Sequence, residues 1–150
     1  MDEPSAGAFD GREHRLAVRV YYEDTDFTGV VYHASYVRFF ERGRTDALRV
    51  VGIGHAELLA RPDPCAFTVT RLGIDFLSAA RIDDALTIHT WFETVAGPRL
   101  FIRQQVTRAG ALVARAEVDA ACIRPDGRAR RPPAELAECL RPYLATATPS

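Results

Sequence analysis

Lysine is missing from this 150-residue chain: every one of its 19 basic residues is arginine. A lysine Schiff base, or any other catalytic lysine, is therefore excluded, and recognition of a phosphate would fall to arginine or to backbone N–H groups. Cysteine is scarce. Cys65, Cys122 and Cys139 are widely separated, form no C-x-x-C pair and leave an odd thiol over, which argues against a disulfide scaffold and against a structural zinc site. No apolar run approaches the ~20 residues of a membrane span, and the acidic, small-residue-rich start lacks the charged and apolar regions of a secretory signal. Charge of one sign is also lacking: the formal net charge is -1, so the basic footprint of a nucleic-acid binder is absent. The expectation is a cytoplasmic protein with no membrane span and no nucleic-acid partner.

What is present suits one packed domain. The hydrophobic share is 47% and the charged share 26%, ordinary globular usage for a chain of single-domain length. Residues 1–13 and 145–150, without periodicity and rich in small or polar types, read as poorly ordered tails around one domain over residues 14–144. Within it, Leu16, Val18 and Val20 alternate with outward positions, which predicts a strand over 15–22. From 35 to 51, Tyr36, Phe40, Gly43, Ala47 and Val51 recur at spacings of four and three, one stripe of a long helix. It should stop near Gly52 or Gly54, where glycine can take the left-handed conformation. A short helical turn is expected over 55–60.

Beyond it, 67–76, 86–95, 100–107 and 112–123 are rich in Val, Ile, Thr and aromatics and read as four strands. The short connections between them predict an antiparallel meander. Leu136, Leu140 and Leu144 suggest a C-terminal helix with Pro133 at its first position. A single long helix carrying Tyr36, Phe39 and Phe40 must bury its stripe against a curved sheet, so the fold class is α+β with the sheet wrapped around the helix. The uncovered edge or face favours pairing with a second copy.

The segment from Tyr21 to Tyr36 joins polar groups to an apolar stretch directly before the helix. Asp26 could act as general base or nucleophile. Gly29 would let a substrate approach the backbone without a Cβ in the way. The helix start, with His33 close by, offers unpaired N–H groups and a dipole suited to a developing oxyanion. Blander roles exist for each: Asp24 and Asp26 as turn formers, Gly29 as punctuation and His33 as a satisfied core or interface histidine. Arg38, Arg42, Arg44 and Arg49 on the helix are expected to be solvated or ion-paired.

Residues 22–45, YEDTDFTGVVYHASYVRFFERGRT, closely resemble the YbgC-like branch of the 4-hydroxybenzoyl-CoA thioesterase family. The likeness continues through Phe67-Thr68-Val69, Arg71 and residues 80–86, covering roughly 15–140. It implies a hotdog fold, homodimers or homotetramers with active sites at the dimer interface, and acyl-CoA thioester hydrolysis without metal or redox cofactor. Carried onto this chain, the family's pattern makes Asp26 the catalytic carboxylate and the His33 N–H the group that polarises the thioester carbonyl, with the His33 side chain also implicated. Gly29 and Tyr32 would line the pocket, and Arg81 and Arg99 become candidates for holding the coenzyme A phosphates. Leu77, Phe27 and Thr28 depart from the types usual in relatives, which leaves the acyl group open.

Three alternatives stand beside this reading. The working carboxylate could sit on the helix, as Glu41 or Asp46. A hotdog hydratase would have its aspartate and histidine five residues apart, whereas Asp26 and His33 are seven apart, which weighs against it. The chain could bind acyl-CoA without turnover; the resemblance also implies partners from the Tol-Pal envelope or phospholipid-synthesis machinery.

Overall fold

The fold is that of a computed structural model, which describes residues 2–145. Six strands form one antiparallel sheet: β1 (Ala8–Asp10), β2 (Glu13–Arg19), β3 (Ala66–Phe76), β4 (Ala85–Ala96), β5 (Arg99–Arg108) and β6 (Ala111–Ile123). Their order across the sheet is β1-β2-β4-β5-β6-β3. Helix α1 (His33–Val51) crosses the inner face, followed by α2 (His55–Ala60) and later by α3 (Ala134–Leu140). As the apolar stripe predicts, α1 buries Tyr36, Phe39, Phe40, Gly43, Ala47 and Leu48. Its end is set by Gly52 at φ 117°, whose N–H reaches back to the carbonyls of Leu48 and Arg49.

The sheet's inner face is supplied by alternate residues. Leu86, Ile88 and Phe92 from β4 lie beside Leu100, Ile102 and Val106 from β5 and Ala114, Ala116 and Val118 from β6, all buried. Ile88 sits opposite Val106, and Ile102 opposite both Phe92 and Val118. The helix comes unusually close to this face at Gly43. A Cβ there would stand 2.7 Å from Ile88 Cγ2 and 2.9 Å from Thr90 Oγ1, so a smaller-than-alanine residue is required by the approach of helix to sheet. Below it the buried Gln104 amide donates to the Phe40 carbonyl (2.8 Å) and to Thr90 Oγ1 (2.9 Å), which satisfies a polar group inside an otherwise apolar core.

Several sequence expectations need correction. The meander holds for β4, β5 and β6 but not for β3, which pairs with β6 at the far edge. Both edges of β4 are already occupied, by β2 and β5, so the chain between β3 and β4 cannot be a tight turn. Residues 77–84 instead cross the end of the sheet over the start of α1.

The first long strand begins at Glu13 and ends at Arg19 rather than running to 22. Tyr21 and Tyr22 lie outside it, because the Asp24 carboxylate accepts the Tyr21 N–H (2.8 Å) and folds Tyr22–Asp24 into a 3-10 turn. Residues 8–10, assigned to a tail, form β1 against β2. That segment is fixed by Asp46, which accepts the Gly7 N–H (2.8 Å) and bonds the buried His14 Nε2 (2.7 Å), and by Phe9, whose ring lies 4.0 Å from that of Tyr143.

The C-terminal helix ends at Leu140, with Pro133 preceding it as the cap residue. A 3-10 turn then brings Leu144 into a bridge with Phe92. Of the C-terminal tail, residues 146–150 lie outside the described residues. The cysteines distant in sequence are neighbours in space: Cys65 and Cys122 are both buried, and burial together with the adjacent Cys65 thiol pushes Cys122 up to about 12.

Candidate active site

The polar segment before α1 folds into a small hairpin. Thr25 bridges Val31, and the Asp26 N–H donates to the Val30 carbonyl (2.9 Å). Gly29 turns the chain at φ 83°, donating its N–H to the Asp26 carbonyl (3.1 Å). The space where its Cβ would lie is open in this chain, so Gly29 is required here by its backbone conformation, not by a crowded approach.

Asp24 and Asp26 have different tasks. Asp24 is buried, and besides holding Tyr21 it uses its carbonyl to accept the Tyr32 N–H (2.9 Å) and the Ser35 hydroxyl (3.0 Å). It is the turn former that anchors the start of α1. Asp26 faces outward. Its Oδ1 accepts the Thr28 N–H (2.8 Å) and the Thr28 hydroxyl (2.6 Å), an Asx-type arrangement that leaves Oδ2 for an external group. Those two bonds, with a smaller contribution from the Val30 backbone, hold the Asp26 carboxyl below its usual range, so it is ionised at neutral pH.

Helix α1 opens at His33 with Tyr32 as the cap residue, and no side chain caps it. Its first amides are thus free of side-chain partners, and the positive end of the helix dipole faces outward. Around this end lies an aromatic surface. The His33 ring is 4.5 Å from that of Tyr32 and 6.3 Å from Phe76, and Phe76 stands 5.6 Å from Tyr36. Tyr32 is 49% and Phe76 50% exposed. This surface, with the exposed Leu77 and Phe27 nearby in sequence, can accept an apolar group beside an ionised carboxylate and uncapped amides.

The connector 77–84 is stitched to the same hairpin. Val31 N–H donates to the Ala80 carbonyl (2.8 Å), Ile82 N–H to the Gly29 carbonyl (3.1 Å), and Ala80 N–H to the Tyr36 hydroxyl (3.4 Å). Arg81, which bridges Val30, is thereby brought to the site, with its side chain exposed. Arg99 is not. It begins β5, whose other end is Arg108, roughly 30 Å away at ~3.3 Å per residue. Two strand-end arginines meet the connector: Arg108 donates to the Ala79 carbonyl (2.8 Å) and to Asp84 Oδ2 (3.0 Å), and Arg19 donates to the Asp83 carbonyl (2.8 Å).

The sequence reading missed Phe76 and Arg108. Both lie at strand ends, and only the crossing of β3 to the far edge brings them to the start of α1, so no linear spacing could reveal them. Of the helix carboxylates, Asp46 is committed to His14 and Gly7, and Glu41 accepts the Thr45 hydroxyl (3.0 Å). Among the described residues no group of three His, Cys, Asp or Glu side chains is placed to hold a metal ion.

Comparisons with known proteins bear on the family and the fold. The Thioesterase-like superfamily model matches residues 20–140. The chain is 43% identical over 106 residues, 71% of its length and 77% of the relative's, to an acyl-CoA thioesterase YbgC from Haemophilus influenzae. A probable thioesterase from Bartonella henselae superposes with a TM-score of 0.79 at 39% identity, over 81% of this chain and 99% of that one. The 4-hydroxybenzoyl CoA thioesterase of Pseudomonas sp. strain CBS-3 superposes equally well, with a TM-score of 0.79 over 85% and 99% at 23% identity, a likeness of fold. The helix wrapped by an antiparallel sheet is thus the hotdog fold, and the chain belongs to the thioesterase-like superfamily, in its YbgC-like branch.

Proposed function

We propose that this protein hydrolyses an acyl-CoA thioester to a free acid and coenzyme A. The observation that carries the proposal is an ionised Asp26, with one carboxylate oxygen uncommitted, on the hairpin that leads into the uncapped start of α1. The thioester carbonyl oxygen would lie on the first helix amides, that of His33 foremost. There the charge of the tetrahedral state meets donors that are fixed before reaction begins. Asp26 then either activates water or attacks the carbonyl carbon and forms an anhydride that water cleaves; in both routes thiolate leaves as CoA-SH once protonated.

Asp26 is ionised at neutral pH, as either route requires. Tyr32, Phe76 and the Leu77 side chain form the surface for the acyl group, and Arg81, with Arg108 beside it, is placed for phosphate groups of the coenzyme. The domain extends over residues 14–144 and is joined by the β1 segment.

The site is open in a single chain, and β3, eleven residues long, is hydrogen-bonded on one side only. A second copy pairing along this edge would cover Phe76 and close the acyl surface, as an unpaired edge strand invites. The test is thiol release from a panel of short, long and aromatic acyl-CoAs. Turnover of at least one member is expected. Saturable binding without release across the panel would mark a non-catalytic acyl-CoA binder instead, the setting in which an envelope or phospholipid-synthesis partner would have to supply the function.

A further inference from the structure

The start of the chain is fastened to the C-terminal half of α1 through one buried histidine. Strand β1 pairs with β2, whose other edge is taken by β4. Gly7, one residue before β1, donates its N–H to Asp46 Oδ2 (2.8 Å), and the same oxygen bonds His14 Nε2 (2.7 Å). Because the carboxylate only accepts, the neutral ring carries its proton on Nε2 and presents a lone pair at Nδ1. His14 is 0% exposed, and its Nδ1 has no hydrogen-bond partner among the described residues. Such an orphaned polar atom is uncommon in a protein interior.

The cover over this ring is the N-terminal segment itself. A Cβ on Gly7 would stand 2.8 Å from Nε2 and 2.9 Å from Cε1, so glycine is what lets the backbone lie this close. Phe9 meets the ring edge-on, with centroids 5.2 Å apart. Charged groups around it are few. Helix α1 supplies Asp46, with Arg49 3.7 Å from its other oxygen. Strand β4 sets the neutral Thr90 opposite, its hydroxyl oxygen accepting from Gln104, and the Tyr143 phenol lies beyond Phe9. Glu13 and Arg15, the neighbours of His14 on β2, alternate to the opposite face and pair with each other. Burial holds His14 below its ordinary 6.5 and outweighs the Asp46 carboxylate, which acts to raise it.

We propose that His14 is the latch of an acid-released strap: protonation of its ring frees residues 2–10 from α1 and β2 while the rest of the sheet stays folded. In the closed form a second ring proton would sit on Nδ1 without an acceptor, a buried donor left unpaired. Once Gly7 and Phe9 lift away, the same proton meets water. The open form therefore binds a proton that the closed form resists, and acid favours opening. With one group titrating, the ratio of open to closed form rises by at most about tenfold per pH unit below the ordinary histidine value. Strand β1 is three residues long against seven for β2, so it is the piece that opens first. Opening uncovers the outer edge of β2, whose freed N–H and C=O groups can accept another strand. The device needs neither Asp26 nor thioester turnover.

The test is amide hydrogen exchange of the full chain, followed by NMR from about pH 7.5 down to about pH 5 and expressed as protection relative to a free peptide. The Gly7 amide is expected to lose protection below about pH 6.5, by up to about tenfold per unit. Throughout, it should stay at least about tenfold less protected than the amides of β4, β5 and β6, the mark of a local opening. In His14→Gln, whose carboxamide can still donate to Asp46 but takes up no proton, Gly7 protection should be independent of pH. The proposal is overturned if Gly7 protection is constant in the wild type, if it equals that of β4 to β6 so that Gly7 exchanges only on global unfolding, or if His14→Gln keeps the slope. Should His14→Gln not fold, the slope and level of Gly7 protection in the wild type still decide.

Discussion

The two ends of one helix treat a carboxylate in opposite ways. Beside the start of α1, Asp26 sits on an exposed hairpin, held by Thr28 and open on its other oxygen. Nearly three-quarters of the way along, Asp46 is buried, with both its histidine and the Gly7 amide bound to one oxygen. The first can change partners at little structural cost; the second cannot. The proposed chemistry uses the uncapped start of the helix, whereas the stretch pressed against the sheet fixes the structure.

The largest test of that contrast is Asp26→Asn. The amide oxygen can still accept both Thr28 bonds, so the hairpin and the melting temperature should be unchanged while thioester turnover falls on the order of 10²- to 10⁴-fold. A drop in melting temperature that tracks the loss of activity would erase the distinction between the two ends. Gly43→Ala should do the reverse. Its Cβ would press on Ile88 and Thr90, costing about 1–3 kcal/mol in urea unfolding, with activity per folded molecule retained.

The buried end also has a pH signature. Burial holds His14 below its ordinary value of 6.5, despite the Asp46 carboxylate that acts to raise it, and burial acts in the same direction on His55. A depressed folded-state value means that the unfolded chain takes up protons first. Stability is therefore complete above about pH 6.5 and declines as pH falls towards the folded values. Melting temperatures between pH 5 and 8 should show this decline, and His14→Leu should flatten part of it.

The smallest expected effect concerns Thr28. Because its two bonds are the leading cause of the lowered Asp26 value, Thr28→Val, which removes the stronger one, should shift the acid limb of kcat/KM upward towards the ordinary aspartate range near 3.8. An unmoved limb would mean that Asp26 does not titrate in the rate-determining complex.

Much of this was legible in the chain itself. Spacings of three and four from Tyr36 to Ala47 mark a helix with one apolar face, and the alternation through Leu86, Ile88 and Phe92 marks a strand with one buried face, because both patterns are local consequences of backbone geometry. The segment from Asp24 to His33 was legible as a site for a similar reason: turn carboxylates, a glycine and a helix start lie within a dozen residues. Which of its two aspartates is buried and which faces outward was not legible from composition or spacing, since Asp24 and Asp26 differ only in what surrounds them.

Sequence alone therefore determined the helix stripe, the long strands β3 to β6 and the candidate hairpin before the helix, all set by interactions between residues close along the chain. The tertiary structure decided that β3 would cross to the far edge, that Phe76 and Arg108 would arrive at the start of α1, that Arg99 would not, and that Arg44 would bond the buried Gln104. Those outcomes depend on which strand edges are free and on how closely Gly43 lets the helix approach the sheet, and such long-range packing leaves no periodic trace in the order of residues.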